Sequence, residues 1–227
     1  MLVTRPEPGA SETAARLTAL GRSVLRAPML TIRPRPLAVA GLPQAVLVTS
    51  GNAIPALPAA LRACPLLAVG DATAARAGEA GFAQVHSAGR DAAALAALAS
   101  RLCRPGAGTL LLASGAGQGL PLAAALRGAG FRVRRRVAYA AVPVAELPAE
   151  AAAALRAGTV AAALFFSAET ARAFVNLIGH SPAKGLSANL DAFALSPAVA
   201  RALGPLPWRS IRVASHPNQD ELLKLLP

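Results

Sequence analysis

Segments in the first half of the chain recur, in the same order, in its second half. A short apolar run at Met1–Thr4, followed by a helix-like stretch that ends at Gly21, returns at Thr109–Leu112 with its glycine at Gly130, an offset of 108 or 109 positions. This offset is too long for a solenoid, whose repeats are about 20–45 residues. The sequence therefore predicts two similar α/β domains.

A second pattern follows the first in both halves. Leu47–Ser50 returns as Leu164–Ser167, and Val69–Ala74 returns as Leu195–Ala200. The 227 residues are enough for two domains of about 100 residues each, near the usual domain size. We expect a cleft between the two domains, and clefts between domains are where small ligands usually bind.

Strand-like and helix-like segments alternate along both halves. A buried strand is predicted at Leu2–Thr4, a helix capped by Ser11 follows it, and Val24–Leu30 is predicted as the next strand. Asp71 and Asp91 are predicted to cap two later helices. Such alternation predicts domains that are each a parallel sheet flanked by helices, with a flavodoxin-like α/β fold.

Proline marks two segments as extended connectors. Pro34, Pro36 and Pro43 interrupt the first, and Pro143 and Pro148 the second. Proline has no N–H to donate and breaks a helix interior, so neither segment is predicted to be a helix or a central strand.

The chain carries a net charge of +12, from 21 arginines and two lysines against 11 acidic residues. Nucleic acid is one partner that such a charge favours, because neutralised phosphates drive binding. The pattern argues against it, since most arginines outside Arg132–Arg136 are dispersed and one Trp and one Tyr offer little base stacking. A small polyanionic substrate would also suit this charge, and a GC-rich genome would produce an arginine-rich composition without any anionic partner.

Composition gives no sign of a metal site, a membrane span or an export signal. Cys64 and Cys103 lack metal-type spacing, and the three histidines are scattered. The apolar residues fall in short segments rather than in a run of about 20. Arg5 and Pro6 follow the first four residues directly, which leaves no apolar core for a signal peptide. We expect a cytoplasmic protein.

Six segments form a series that is specific as a set, although each is weak alone. They are Val3–Pro6, Thr49–Ala53, Val69–Ala74, Gly81–Phe82, Leu126–Tyr139 and Phe165–Ser167. In this order and over the whole length, the chain resembles the uroporphyrinogen-III synthase family. Two turns depart from the family's pattern: Ser196–Val199 stands where a glycine-threonine turn is usual, and Ala113–Gly115 carries no basic residue.

The resemblance implies a division of the chain that differs from a simple tandem repeat. In the family, the first segment pairs with the last, and the middle segments form the other domain. Here this implies one discontinuous domain from residues 1–35 and 155–227, an inserted domain from residues 40–142, and connectors at 36–39 and 143–154.

The resemblance also implies a reaction. Hydroxymethylbilane, a linear tetrapyrrole, is cyclised to uroporphyrinogen III with loss of water and inversion of the terminal pyrrole ring, on the way to haem, sirohaem, cobalamin or chlorophyll. The pyrrole nitrogen expels the hydroxyl and leaves an azafulvene, so no enzyme nucleophile is needed. The protein must hold the chain so that the substituted carbon attacks and a spiro intermediate forms. No metal or organic cofactor is expected.

The substrate carries acetate and propionate carboxylates, so the site is expected to offer many weak hydrogen-bond donors to anions. Backbone amides at helix starts are such donors, and open α/β sheets bind ligands at the carboxyl ends of their strands. For the hydroxyl residues, helix capping is the alternative role; for Arg5 it is a surface ion pair. The expected substrate-binding residues are Arg5, Thr49, Ser50, Gly70, Ser114, Gly115, Ser167, Ser196 and Ala198.

Thr73 and Tyr139 are the expected catalytic residues. Thr73 lies at a predicted helix start, where its hydroxyl and the adjacent amides would hold a carboxylate or the leaving group. Tyr139, the only tyrosine, ends a predicted strand, and its phenol would donate a proton to the departing hydroxyl. Packing at a strand edge is the alternative role of Tyr139.

Two other functions stay open. A non-catalytic two-domain protein that binds small anions would share the cleft and the anion-binding turns. A nucleic-acid-binding protein would show DNA affinity that falls steeply with salt. We expect a monomer, because both repeats are able to bury their apolar faces internally.

Overall fold

A computed structural model describes residues 1–179 and 182–226. In chain order its strands are β1 (Leu2–Val3), β2 (Leu25–Arg26), β3 (Leu30–Pro34), β4 (Ala45–Val48), β5 (Leu66–Ala68), β6 (Val85–Ser87), β7 (Thr109–Gly115), β8 (Arg132–Pro143), β9 (Ala162–Phe165), β10 (Asp191–Ala194) and β11 (Ser210–Val213). Its α-helices are α1 (Gly9–Ala19), α2 (Asp71–Glu79), α3 (Ala92–Leu102), α4 (Leu120–Gly128), α5 (Ala149–Arg156), α6 (Ala168–Gly179), α7 (Pro197–Leu203) and α8 (Gln219–Lys224). Short 3₁₀ helices cover Gly51–Ala56, Ala59–Ala63 and Pro182–Asn189.

The chain forms two compact units. The first comprises Met1–Thr31 and Val142–Pro227, and its sheet has the strand order β11-β10-β9-β1-β2, with every pair parallel. The second comprises Ile32–Ala141, and its sheet has the order β3-β8-β7-β4-β5-β6, parallel from β8 to β6. The predicted α/β class, with parallel sheets flanked by helices, is confirmed.

In the second unit, the central strands β4, β5 and β7 are buried on both faces of the sheet. Alternate residues of a strand point to opposite faces, so Leu111 packs in one apolar cluster while Leu110 and Leu112 pack in the other. The first cluster includes Ala77 of α2, and the second includes Leu98 of α3 together with residues of α4. Near-continuous apolar strands such as β4 and β7 are typical of a parallel sheet covered on both sides.

In the first unit, the central strand β9 also contributes to two apolar groups. Leu164 packs in a cluster with Leu17 of α1 and Leu222 of α8. Phe165 meets Phe174 of α6 and Trp208 edge-on, at centroid distances of 5.2 Å and 5.7 Å. No helix within the described residues is long and apolar enough to cross a membrane.

Two expectations about helix starts are wrong. α1 begins at Gly9, so Ser11 lies inside the helix, and the Glu7 side chain accepts the Ser11 N–H at 2.9 Å. α2 begins at Asp71 itself, with Gly70 as the N-cap. The expected cap of α3 is confirmed, because the Asp91 carboxylate accepts the Ala94 N–H at 2.9 Å.

The segment predicted as one strand, Val24–Leu30, is divided between two sheets. β2 covers only Leu25–Arg26 and lies in the first unit's sheet, whereas β3 begins at Leu30 and belongs to the second sheet. β3 includes Pro34, which the fold accommodates because β3 is an edge strand and needs hydrogen-bond donors on one side only.

Candidate active site

In the second unit, the ends of three adjacent strands lie along one edge of the sheet. β7, β4 and β5 are parallel neighbours, and Val48 is in register with both Ala68 and Ala113. The chain segments that leave these strands therefore start side by side. The expected site residues at this edge are Thr49, Ser50, Gly70, Thr73, Ser114 and Gly115.

A basic side chain that sequence reasoning missed lies beside the turn after β4. Ser50 is the N-cap of the 3₁₀ helix, and its hydroxyl accepts the Asn52 N–H at 3.3 Å. Arg76 of α2 lies against this turn, so closely that a Cβ on Gly51 would come 2.8 Å from its Nη1 atom. The glycine directly after Ser50 is the one sequence signal that pointed to a close neighbour there.

The turn after β5 leaves backbone donors at the start of α2. Gly70 has an extended conformation, and its carbonyl accepts the N–H groups of Thr73 and Ala74 at 3.1 Å and 3.0 Å. The N–H groups of Asp71 and Ala72 come before these two bonds in the chain. Like the first N–H groups of any α-helix, they have no partner within the helix. Thr73 is half-buried, and its hydroxyl makes no hydrogen bond among the described residues.

Ser114, Gly115 and Tyr139 form a packed group around Gln118. β7 continues through Gly115, so the turn expected at Ala113–Gly115 is strand instead, and Ser114 is fully buried with its hydroxyl donating to the Gln118 carbonyl at 3.0 Å. The Tyr139 hydroxyl donates to Gln118 Oε1 at 3.0 Å. A Cβ on Gly115 would come 2.8 Å from the Tyr139 ring, so only glycine fits this position without a shift.

Tyr139 lies inside β8 rather than at its end. The strand runs on to Pro143, and the Tyr139 side chain is 4% exposed and belongs to the core cluster of its unit. A register shift between Ser114 and Gly115 pairs Gly115 with Tyr139. Gln118, which sequence reasoning did not single out, accepts the hydrogen bond of the phenol.

In the first unit, three further turns follow adjacent parallel strands. Arg5 follows β1, Ser167 follows β9, and Ser196 and Ala198 follow β10. The Ser167 hydroxyl caps α6 by accepting the Thr170 N–H at 3.1 Å. Ser196 is the N-cap of α7 with no side-chain cap bond, and Ala198 is exposed in that helix.

The Arg5 guanidinium is held by side chains from three parts of the first unit. Its Nη1 donates to Thr13 Oγ1 at 3.3 Å and to Gln219 Oε1 at 3.1 Å. Its Cζ atom lies 4.6 Å from the centre of the Phe166 ring, within the range of a cation–π contact. Gln219, which sequence reasoning missed, keeps its Nε2 atom buried without a hydrogen-bond partner in the described part of the chain.

The expected hydroxyl residues fall into two classes. Ser50, Ser114 and Ser167 are hydrogen-bonded within the protein, in caps or to a buried carbonyl. The hydroxyls of Thr49, Thr73 and Ser196 make no side-chain hydrogen bond among the residues described. The second class, together with the Ser50 hydroxyl, which accepts the Asn52 N–H but donates to no described residue, has hydrogen-bond donors left for a ligand.

The carboxyl group with a large pKa shift lies at the opposite ends of the strands from the candidate residues. Asp191 begins β10, and a hydrogen bond from Arg209, with another from Ser210, lowers the pKa of its carboxyl to about 2. This group links β10 to β11 and lies away from the strand ends that carry the candidate residues. Its role is therefore structural.

Metal ligands do not cluster in the described part of the chain. No group of three or more His, Cys, Asp or Glu side chains there is placed to hold a metal ion, and His180 lies outside the described residues. Cys64 and Cys103 are both buried and free, and burial raises the pKa of each thiol. Such thiols behave as small apolar side chains.

Comparison with known proteins gives a consistent result. The sequence model of the family described as uroporphyrinogen-III synthase HemD matches residues 11–224. A crystal structure titled uroporphyrinogen-III synthetase from Helicobacter pylori 26695 is similar, with a TM-score of 0.64 and 17% identity over 99% of this chain and 96% of that chain. A mutant uroporphyrinogen III synthase from Thermus thermophilus is also similar, with a TM-score of 0.50 and 20% identity over 98% of this chain and 95% of that one. No curated protein is similar enough in sequence to count as a match.

Proposed function

The chain belongs to the uroporphyrinogen-III synthase family, and we propose that it acts through the strand-end turns of its two units. The reaction is the cyclisation of hydroxymethylbilane to uroporphyrinogen III in tetrapyrrole biosynthesis. The site assignment is supported by the position of the candidate residues after adjacent parallel strands, where open α/β sheets bind their ligands.

The chemistry needs positioning more than it needs reactive side chains. The pyrrole nitrogen lone pair pushes hydroxide off the hydroxymethyl carbon, and hydroxide takes a proton to leave as water. The resulting azafulvene carbon is then attacked by the substituted carbon of the terminal ring, which gives the spiro intermediate. The original bond from that carbon to its methylene bridge breaks, which forms a second azafulvene on the neighbouring ring, and the free α-carbon of the terminal ring attacks it and loses a proton, so that the terminal ring is inverted. Holding two reacting ends of one molecule in this geometry accounts for about 7–11 kcal/mol of barrier lowering in well-oriented systems.

We assign substrate carboxylates to the turns that keep unused donors. At the start of α2, the first amides and the Thr73 hydroxyl form one set of donors, and the helix dipole adds to the attraction. Thr49 and Ser196 supply hydroxyls after β4 and β10. Arg5 and Arg76 add positive charge beside the turns after β1 and β4.

Ser50 caps its turn only as an acceptor, so its hydroxyl proton is proposed to bind a carboxylate, whereas Gly115 and Ser167 shape the turns that follow β7 and β9. The two serines cap the helices that follow them, and Gly115 leaves room for the Tyr139 ring. Ser114 is further inside, because its buried hydroxyl bonds to Gln118. Gly70 and Ala198 contribute backbone groups, in keeping with their lack of polar side chains.

Tyr139 is the proposed proton donor to the departing hydroxide. Its phenol proton is directed at Gln118 Oε1, so protonation of the leaving group requires the hydroxyl to exchange this partner for the substrate. Because the substrate nitrogen drives the ionisation, the phenol accelerates this step but is not indispensable. We further propose a cytoplasmic monomer that uses no metal or organic cofactor.

The deciding experiment is an isomer assay. Purified protein is mixed with hydroxymethylbilane, the products are oxidised to porphyrins, and the isomers are separated by chromatography. Uroporphyrinogen III is the expected product, whereas spontaneous closure gives only the type I isomer. Type I alone, from folded protein that binds tetrapyrrole carboxylates, would instead identify a non-catalytic anion-binding protein.

A further inference from the structure

Positive charge is concentrated in the second unit. Residues 32–141 contain twelve arginines, no lysine and three acidic residues, a net charge of +9 out of the chain's +12. The three acids are Asp71, Glu79 and Asp91, which lie on α2 and at the start of α3. These elements follow β5 and β6 in the chain. In the sheet, β5 and β6 lie at one end of the strand order and β8 lies near the other end.

Three arginines alternate along the first half of β8, and none has an acidic partner among the described residues. Arg132, Arg134 and Arg136 donate to the backbone carbonyls of Gly106, Ala40 and Arg135. None of the three forms an ion pair among the described residues. Their charges are therefore not compensated by any acidic side chain in the described part of the chain.

The alternation places these guanidinium groups on one face of the sheet. Arg134 and Arg136 are in register with Leu111 and Ala113, which pack in the same core cluster. Successive residues on one face of a strand are about 7 Å apart, so Arg132 to Arg136 form a short row.

A cavity of about 320 Å³ adjoins this row. The Arg35 N–H bonds to the Ala138 carbonyl at 2.7 Å, and β3 has already ended at Pro34, so the first half of β8 is flanked by the connector instead of a strand. Val39 and Leu111 give the cavity apolar walls, while Arg134 and Arg136 give it positive charge. An apolar surface beside guanidinium groups fits a pyrrole ring that carries carboxylate arms.

We propose that the row Arg132, Arg134 and Arg136 with its adjoining cavity, here called the arginine surface, captures the polycarboxylate tetrapyrrole substrate ahead of its transfer to the strand-end turns. This inference rests on the proposed function, because it takes the substrate's acetate and propionate groups as the ligand. Clustered uncompensated charge raises the local concentration of an oppositely charged substrate and its association rate by about 10- to 1000-fold at low salt. The effect disappears as salt shortens the Debye length from about 10 Å at 0.1 M toward about 3 Å at 1 M.

A small polycarboxylate suits this surface better than a single-stranded nucleic acid. The aromatic side chains of the second unit are Phe82, Phe131 and Tyr139, and all three are buried. No aromatic platform in that unit is therefore exposed for base stacking, on which single-stranded nucleic-acid binding depends.

The test compares three full-length variants with the wild type across salt concentrations. R132Q/R134Q/R136Q removes the three charges, R132K/R134K/R136K retains them, and R62Q/R90Q/R101Q removes three exposed charges elsewhere in the same unit. For each protein, kcat and KM for hydroxymethylbilane are measured from about 0.05 to 0.5 M salt. Binding of uroporphyrin III, which carries the same acetate and propionate groups, is measured by fluorescence as a readout independent of turnover.

At low salt, we expect kcat/KM and uroporphyrin affinity of the first variant to fall about tenfold, with kcat changed less than twofold and the difference lost at high salt. The lysine variant and the matched control are expected to stay within about threefold of the wild type. An equal loss in the control would overturn the proposal, since net charge alone would then explain it. Unchanged kcat/KM together with aggregation of the first variant would also overturn it, because the row would then serve only to protect an edge of the sheet.

Two further outcomes separate this inference from the function on which it rests. If a short DNA duplex binds the wild type more tightly than uroporphyrin III and the first variant loses only DNA binding, the surface serves nucleic acid and the proposal is wrong. If wild-type protein forms no type III isomer, the proposed function fails, whatever the variants do. If it forms type III and the first variant keeps wild-type kcat/KM at low salt, only the arginine surface is refuted.

Discussion

Replacing Thr73 by alanine should reduce activity without reducing stability. The hydroxyl has no hydrogen-bond partner among the described residues, so Thr73→Ala removes no bond within that part of the protein. Alanine has a higher helix propensity than threonine by about 0.5 kcal/mol, and Thr73 lies in the first turn of α2. The melting temperature is therefore expected to stay within about 2 °C of the wild-type value or to rise slightly.

The effect on the reaction is expected to be much larger. A hydrogen bond from a hydroxyl to a charged group contributes about 1.5–3 kcal/mol. At about 1.4 kcal/mol per factor of ten, its loss lowers kcat/KM by about 10- to 150-fold if the bond is to a substrate carboxylate or to the leaving oxygen. The type III isomer should remain the product, because the other turns still hold the chain.

The assay is the initial rate of type III formation, with thermal unfolding measured on the same preparations. Thr18→Ala is the matched control. It makes the same chemical change at an exposed position of α1, where no candidate site residue is substituted. Wild-type kcat/KM in Thr73→Ala would refute the assignment of Thr73 to the site. A fall in melting temperature that accompanies the loss of activity would show that folding, not substrate binding, was disturbed.

Three other predictions follow from the described contacts. Tyr139→Phe should lower turnover several-fold, while uroporphyrinogen III remains the product. It should also lower the free energy of unfolding by about 0.5–1.5 kcal/mol, because Gln118 Oε1 loses a hydrogen-bond donor. Wild-type turnover in this variant would mean that Tyr139 serves only in packing. Enzyme treated with chelator should keep full activity in the isomer assay, and a loss reversed by one specific metal would contradict this. Because the pKa of Asp191 is lowered to about 2 in the folded state, its contribution to the free energy of unfolding should be present above about pH 4 and be lost as the pH falls toward 2. Denaturant unfolding at several pH values should show this slope, and the slope should flatten in Asp191→Asn; equal slopes in the two proteins would exclude Asp191 as the cause.

Much of the local structure was predictable from short-range signals. Buried apolar runs gave strands at β4, β7 and β9, the Asp91 carboxylate caps α3, and Gly21 ends α1 with a φ of 72°. Ser11 and Asp71 were wrong as caps, because a helix start depends on which nearby group reaches its free amides. At α1 that group is Glu7, whose side chain also bonds to Arg26 from a different segment.

Residues at the candidate site were partly predictable for the same reason. Polar and glycine residues after apolar runs marked the strand ends, since the carboxyl ends of parallel strands are where such sheets leave backbone donors. The sequence did not separate hydroxyls that the protein already uses, as in Ser50, Ser114 and Ser167, from those of Thr49, Thr73 and Ser196. That distinction depends on neighbours such as Gln118 that are contributed by other turns.

The internal repeat and the alternation of strands and helices were sufficient to predict two α/β units with parallel sheets. Which strands pair, and which side chains meet, was decided only in three dimensions. Thr4 donates to the Leu164 carbonyl across 160 positions, and Arg5 reaches Gln219 across 214, contacts that no local pattern records. Local signals fix turns and helix ends because they act over a few residues, whereas the pairing of β1 with β9 and the place of Arg76 over Gly51 follow from burying the apolar faces of distant segments together.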